Sequence, residues 1–264
     1  FGNWEVIPYI INRERSRLPV WTGFEKTDPK LNAHWAMLEK LVADHTPTWG
    51  PLMTYDTFIH AAALEHLKTK KPRMMYVCYG EPDEWAHEGR YDYYLHSIRH
   101  FDDFVRQLWE AAQADPEMRG HTSILLVTDH GRGTSNASWK SHGANIADSR
   151  FIWMGVLGPD TPALGERTNV PTVTQNQMAP TAAALLGLDY KAEQPQAAAP
   201  ARDHAPAPAP APTVTVDAAM PISQGRGWWA RLLGHGGTAS AGGGQGRCIR
   251  IEIRQPDKTV SVEW

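Results

Sequence analysis

The sequence predicts an α/β domain, a mostly parallel sheet with helices on both faces, followed by a low-complexity C-terminal tail. Three observations predict it. Short unbroken apolar runs at residues 74–79, 123–128 and 151–157 are too brief for helices and read as strands buried on both faces. Around them lie segments with apolar residues at helical spacing, and alternation of this kind builds a largely parallel sheet. Near Glu193 the composition turns abruptly to Ala and Pro, which cannot bury a core.

In chain order, residues 4–11 (Trp4-Glu5-Val6-Ile7-Pro8-Tyr9-Ile10-Ile11) read as a first strand. Leu31, Trp35, Leu38, Leu41 and Val42 recur at helical spacing, with Asp28-Pro29 supplying an N-cap and a first-turn proline. Tyr55, Phe58, Ile59, Ala62, Ala63 and Leu67 line one face of a second helix, which Lys68, Lys70 and Lys71 finish and Pro72 stops. The strand at 74–79 ends at Gly80. A long helix spans roughly residues 91–114, with Leu95, Ile98, Phe101, Val105, Leu108 and Trp109 facing inward. Strands at 123–128 and 151–157 follow, the latter closed by Gly158-Pro159. A last helix at 177–188 carries Pro180 in its first turn and ends at Gly187.

This places a folded domain at residues 1–192 and a linker at 193–247, Ala/Pro-rich at first and Gly-rich later, with a short segment around Trp228-Trp229. Residues 248–264 alternate in strand fashion around Gln255-Pro256-Asp257-Lys258 and read as a β-hairpin tail.

Composition narrows the function. A net charge of −3 over 264 residues gives no basic stripe to track a phosphate backbone, so no nucleic-acid partner is expected. Cys78 and Cys248 form no paired framework, leaving the redox compartment open. No run approaches the roughly eighteen apolar residues of a membrane span, and no signal peptide is visible. The first residue, Phe1, falls at the start of a strand-like segment, from which an upstream segment is expected.

The chemistry-bearing residues follow the expected strands. Thr128-Asp129-His130-Gly131 lies where a buried strand runs into a glycine-containing loop, and a carboxylate and an imidazole there can each reach a metal at the mouth of the sheet. Asp83 and His87, four apart after the strand ending at Tyr79, share a face if their segment is helical. Ser141-His142-Gly143 adds an imidazole before the third strand. Alone, Asp83 reads as a helix cap and His142 as a surface histidine. Together, Asp83, His87, Asp129, His130 and His142 all fall where a parallel sheet binds its ligands, and they are expected to converge.

These segments resemble the alkaline phosphatase superfamily, within it the type I phosphodiesterase and sulfatase-like branches. Asp83-Glu84-Trp85-Ala86-His87 is similar to the family's D-x-x-G-H, with Ala86 in place of glycine; Thr128-Asp129-His130-Gly131 matches its T-D-H-G; Ser141-His142-Gly143 is similar to its late histidine; residues 177–188 are similar to its closing helix. The resemblance covers about residues 1–190. It implies an alkaline-phosphatase-like fold and a two-metal phosphate-ester or diester hydrolase, with sulfate esters also in the family's range. Asp83, His87 and His142 would ligate one metal, and Asp129 with His130 the other. The mixed Asp/His donors suit zinc first and manganese second, and argue mildly against the hard-cation sulfatase type.

The family also places a metal-ligating Asp and a Ser or Thr nucleophile on a portion preceding the region equivalent to Phe1. No D-G pair follows an apolar strand in the first seventy or so residues, and Thr22, Thr27, Thr46, Thr48 and Thr54 sit in turn or helix-start settings, so no nucleophile is assigned and this chain is expected to be incomplete for catalysis. Cofactor-independent phosphoglycerate mutases use similar metals but carry a large inserted domain for which the sequence shows no room. Lys140 and Arg150 flank the His142 loop and could steer an anionic ester, although solvated surface charge explains them too; Trp85 and Trp139 could line a cleft or pack at its rim. The expected partner is a small phosphate or sulfate ester, and the resemblance implies a periplasmic or extracellular location. The sequence does not set an oligomeric state. A different class of function is a non-catalytic metal-binding remnant with a Trp-containing interaction tail.

Overall fold

The computed structural model describes residues 1–11, 20–25, 33–46, 48–50, 53–167, 170–193, 198–201, 250–255 and 258–263. They fall into two compact units, one of residues 1–119 with 139–141, the other of residues 120–138 with 142–264. Asp28-Pro29, the tryptophans at 228 and 229, the residues at 256 and 257, and most of the linker lie outside the described residues.

The first unit is helical: α1 (Ile7–Ile11), α2 (Ala33–Asp44), α3 (Asp56–Lys70), α4 (Glu81–His87) and α5 (Tyr91–Ala114). α3 packs against α2 and α5, and α4 against α5. Two apolar clusters organise it. Trp21, Trp35, Leu38, Val42, Ile59 and Ala62 join α2 to α3, and Leu67, Leu108, Ala112 and Met118 join the end of α3 to α5. Trp35, Leu38, Val42, Ile59, Ala62, Leu67 and Leu108 lie on the faces that the helical spacing predicts, whereas Leu41 is exposed. α3 stops at Lys71, whose left-handed φ of 44° turns the chain while its N–H bonds back to the Leu67 carbonyl before Pro72.

Two segments of this unit depart from the sequence reading. Residues 4–11 are not a strand: only Trp4 makes a bridge, with Met53, and the chain then turns into α1. Pro8 explains the choice, because it cannot donate to a strand ladder but is tolerated in the first turn of a helix. Residues 74–79 are extended, yet pair only at Cys78, in a parallel bridge to Gly2, with the Cys78 N–H donating to the Phe1 carbonyl. Their side chains alternate, Met75, Val77 and Tyr79 packing against the clusters while Met74 and Tyr76 are exposed, so this segment is buried on one face and not two.

In the second unit β1 (Ile124–Val127) and β2 (Met154–Leu157) form a two-stranded sheet. The pairing is antiparallel, Ile124 opposite Leu157 and Val127 opposite Met154, where the alternation of elements predicts a largely parallel sheet. The connection explains it. Residues 128–153 hold one 3₁₀ turn, Ala147–Arg150, and no crossover helix of the kind that parallel neighbours need. Further on, Thr174 and Gln177 form a capping box that opens into α6 (Met178–Leu185), Pro180 sits in the first turn as expected, and Gly187 (φ 72°) breaks the helix ahead of α7 (Tyr190–Glu193). Residues 198–201 return to α6, with the Ala201 N–H donating to Thr181 Oγ1 at 2.9 Å and Gln177 Nε2 donating to the Ala199 carbonyl at 3.1 Å. β3 (Arg250–Gln255) and β4 (Lys258–Glu263) pair antiparallel. The architecture is therefore mixed helix and sheet. Among the described residues no helix is long and apolar enough to cross a membrane.

Candidate metal centre

In the first unit, α4 carries Asp83 and His87 one turn apart, and His87 Nε2 lies 3.3 Å from Asp83 Oδ2. Both side chains reach solvent, Asp83 half-buried and His87 exposed. Ala86, between them in sequence, is fully buried, so its methyl group packs inward while Asp83 and His87 reach solvent. Trp85 is held in an aromatic layer with Trp49 and Tyr93, each 4.7 Å away between centroids, and its indole N–H donates to Glu81. Trp139 packs edge-on to Tyr91. Lys140 lies over Gly89, where a Cβ would stand 2.7 Å from its ammonium, which places a cation at the C-terminal end of α4.

The start of α4 is unusual. Gly80 is its N-cap and has no side chain to offer, so the cap comes from the first residue of α3: Asp56 Oδ1 accepts from the Gly80 N–H and Oδ2 from the Glu81 N–H, both at 2.9 Å. Glu81 answers by accepting from the Asp56 N–H at 2.8 Å. Burial, with Glu81 close by, pushes the Asp56 carboxyl up to about 8 against the pull of its two N–H donors. Sequence reading missed Asp56, since an Asp opening a helix looks like an ordinary first-turn residue. It also missed His60, buried flat against Phe104 at 4.1 Å between centroids, whose Nδ1 pairs with the Tyr79 hydroxyl and Nε2 with Gln107. Burial lowers His60 to about 4 and raises Tyr79.

In the second unit, β1 runs into Thr128-Asp129-His130-Gly131, and the loop folds back on the 3₁₀ turn. The Gly131 N–H donates to the Ser149 carbonyl at 2.7 Å and the Gly143 N–H to Ser149 Oγ at 3.0 Å. A Cβ on residue 131 would stand 2.2 Å from the Phe151 carbonyl oxygen and 2.7 Å from that of Asp148, so glycine is required by close backbone approach. The closed loop stacks His130 on His142, ring centroids 3.7 Å apart and planes at 14°. Asp129 sits alongside, its Oδ1 accepting from the His130 N–H at 3.0 Å and its carbonyl from Gln175 Nε2 at 2.9 Å. His130 Nδ1 lies 3.0 Å from the Gly131 carbonyl, which can only accept; the bond therefore puts the ring proton on Nδ1 and leaves Nε2 as the ligand atom. Arg150 lies over the Phe151 ring.

The five candidate ligands thus gather as Asp83 with His87 in one unit, and Asp129 with His130 and His142 in the other. Thr22 and Thr54 are buried, Thr22 bonded to Glu25 and Thr54 Oγ1 donating to the Thr22 carbonyl; Thr48 pairs with the Tyr55 hydroxyl. Thr27 lies outside the described residues.

Comparison with known proteins bears on the same residues. Residues 12–172, more than half of the chain and including all five candidate ligands, match the family described as type I phosphodiesterase / nucleotide pyrophosphatase. The chain is 30% identical over 131 residues to a 2,3-bisphosphoglycerate-independent phosphoglycerate mutase of Haloarcula marismortui, an alignment covering 48% of this chain and 23% of that protein. No solved structure matches. The chain belongs to the type I phosphodiesterase / nucleotide pyrophosphatase family of the alkaline phosphatase superfamily.

Proposed function

We propose that this chain contributes the metal-binding part of a phosphoryl-transfer enzyme that acts on a small phosphate ester or diester, with Asp83, His87 and His142 holding one divalent ion and Asp129 with His130 contributing to a second. The observation that carries the reading is that the family match spans all five candidate ligands, with Asp83 and His87 one turn apart on α4 and His130 stacked on His142 beside Asp129. The donor chemistry fits. One carboxylate and two imidazoles make a three-ligand set with room for a further ligand, which suits zinc first and manganese second. When bound, such ions supply Lewis-acid activation and neutralise charge that develops on the ester oxygens.

The chain's own residues orient and steer. The Gly131 carbonyl fixes the tautomer of His130, and the Ser149 contacts hold the loop that presents His130 and His142. Lys140 and Arg150 would draw an anionic ester toward the loop between them. No nucleophile is assigned. Family membership supports phosphoryl transfer in general, and the similarity to a mutase keeps transfer to a second hydroxyl beside transfer to water.

The test is zinc content of the purified full chain after metal loading and dialysis, read beside hydrolysis of an activated aryl phosphate and an activated bis-aryl diester. Retained zinc that falls in Asp83→Asn and His142→Ala is the expected result. A chain that retains no divalent metal would refute the reading. Retained zinc without turnover of either ester by the full chain would favour a non-catalytic metal-binding role.

A further inference from the structure

We propose that Asp56 is a positioning residue for the Asp83–His87 pair, acting through the start of α4; this rests on the metal-binding role proposed above. α4 has seven residues, and a helix so short is not stable by itself. Its N-cap is glycine, so no side chain of its own satisfies the first N–H groups. Asp56 satisfies two of them, one with each carboxylate oxygen, while its own N–H is taken by Glu81. The result is a reciprocal cap that joins the first turns of two helices.

The clamp is confined on its other side too. Asn3 is buried over Gly80, and a Cβ there would stand 2.4 Å from its amide nitrogen, so α4 starts in a slot between Asn3 and Asp56. Asp56 itself is 5% exposed and belongs to α3, which carries Ile59 and Ala62 of the core. A displacement of Gly80 and Glu81 would carry Asp83, two residues on, and His87, one turn further, with it. Asp56 touches no ligand and no reacting atom; its role is to fix where the pair stands.

The experiment compares the full chain with Asp56→Asn and with Leu108→Ala, which weakens the same unit through the other apolar cluster. Zinc affinity is measured well below each melting temperature, and amide exchange at residues 80–87 is followed without metal. The expected result is zinc affinity weakened about tenfold or more in Asp56→Asn and unchanged in Leu108→Ala, the scale found for residues that support metal ligands. Exchange at Gly80 and Glu81 should quicken only in Asp56→Asn. Equal affinity and exchange in Asp56→Asn and the unaltered chain would overturn the proposal, as would equal loss in both variants. Absence of zinc binding in the unaltered chain would remove the metal-binding reading and this role with it, while the exchange data would still say whether the clamp exists. Should Asp56→Asn fail to fold, Glu81→Ala removes the return bond together with the acceptor of the Trp85 indole N–H and carries the same comparison, with a loss of about tenfold expected for two hydrogen bonds.

Discussion

The two units present candidate ligands by different means. In the first, Asp83 and His87 sit at helical spacing on α4, which packs on α5 and is capped from α3, so two side-chain positions follow from the placing of one helix. In the second, Asp129, His130 and His142 sit on a loop whose shape is set by backbone hydrogen bonds to Ser149 and by a glycine that admits no side chain. The buried residues differ accordingly. Two apolar clusters with Trp21, Trp35, Leu38 and Ile59 support the first unit, whereas β1 and β2 of the second are half-buried or exposed except at Leu157. A helix-borne pair draws its order from side-chain packing, and a loop-borne one from backbone bonds and conformation.

That contrast can be broken by substitution. The largest effect is expected for Ile59→Ala, which opens a cavity at a residue with no exposed surface and should cost the first unit about 4 kcal/mol in denaturant unfolding. Gly131→Ala should cost about 3 kcal/mol, because the new methyl group meets two backbone carbonyl oxygens that move only if the 3₁₀ turn opens. Its signature is local: faster amide exchange at Gly131 and Gly143 and separation of the His130 and His142 ring signals in NMR. If Gly131→Ala left these signals intact, backbone closure would not be what orders the loop.

A smaller effect is expected in the pH dependence of the first unit. His60 is lowered from 6.5 to about 4 by burial, so as pH falls the unfolded chain takes up a proton before the folded one. Taken alone, this group lowers stability by up to about 3 kcal/mol between pH 6.5 and about 4 and adds nothing further below. Asp56, raised from 3.8 to about 8, works the other way, binding protons more tightly when folded and losing stability as pH rises through that window. Between pH 4 and 6.5 the two oppose each other, so His60→Gln, in which Asp56 acts alone, should gain stability on acidification through that window where the unaltered chain stays nearly level, and both should decline as pH rises toward 8. Melts with the same pH dependence between 4 and 6.5 with and without His60 would contradict this role of His60.

The same contrast explains what the sequence made legible. Helices α3 and α5 follow their apolar periodicity, since side chains such as Ile59, Ala62, Val105 and Leu108 are buried where 3.6-residue spacing puts them. The approximate bounds of β1 and β2 are legible from their apolar runs, but their pairing direction is not, because direction depends on what residues 128–153 become and those carry no periodicity. Residues 4–11 mislead because Ile and Val suit a strand while one proline decides otherwise. The candidate ligands could be singled out by residue type and position after apolar runs. Asp56 could not, because nothing local distinguishes a carboxylate that caps its own helix from one that caps another 24 residues on.

The most direct test of the metal-centre reading is X-ray absorption at the zinc edge of the loaded full chain, set against His142→Ala. Two imidazoles and a carboxylate should give nitrogen and oxygen scatterers at about 2.0–2.1 Å with the outer-shell pattern of imidazole, and His142→Ala should lose one imidazole. A spectrum without imidazole scattering, or one that His142→Ala leaves unchanged, would contradict the assignment of Asp83, His87 and His142 to one ion.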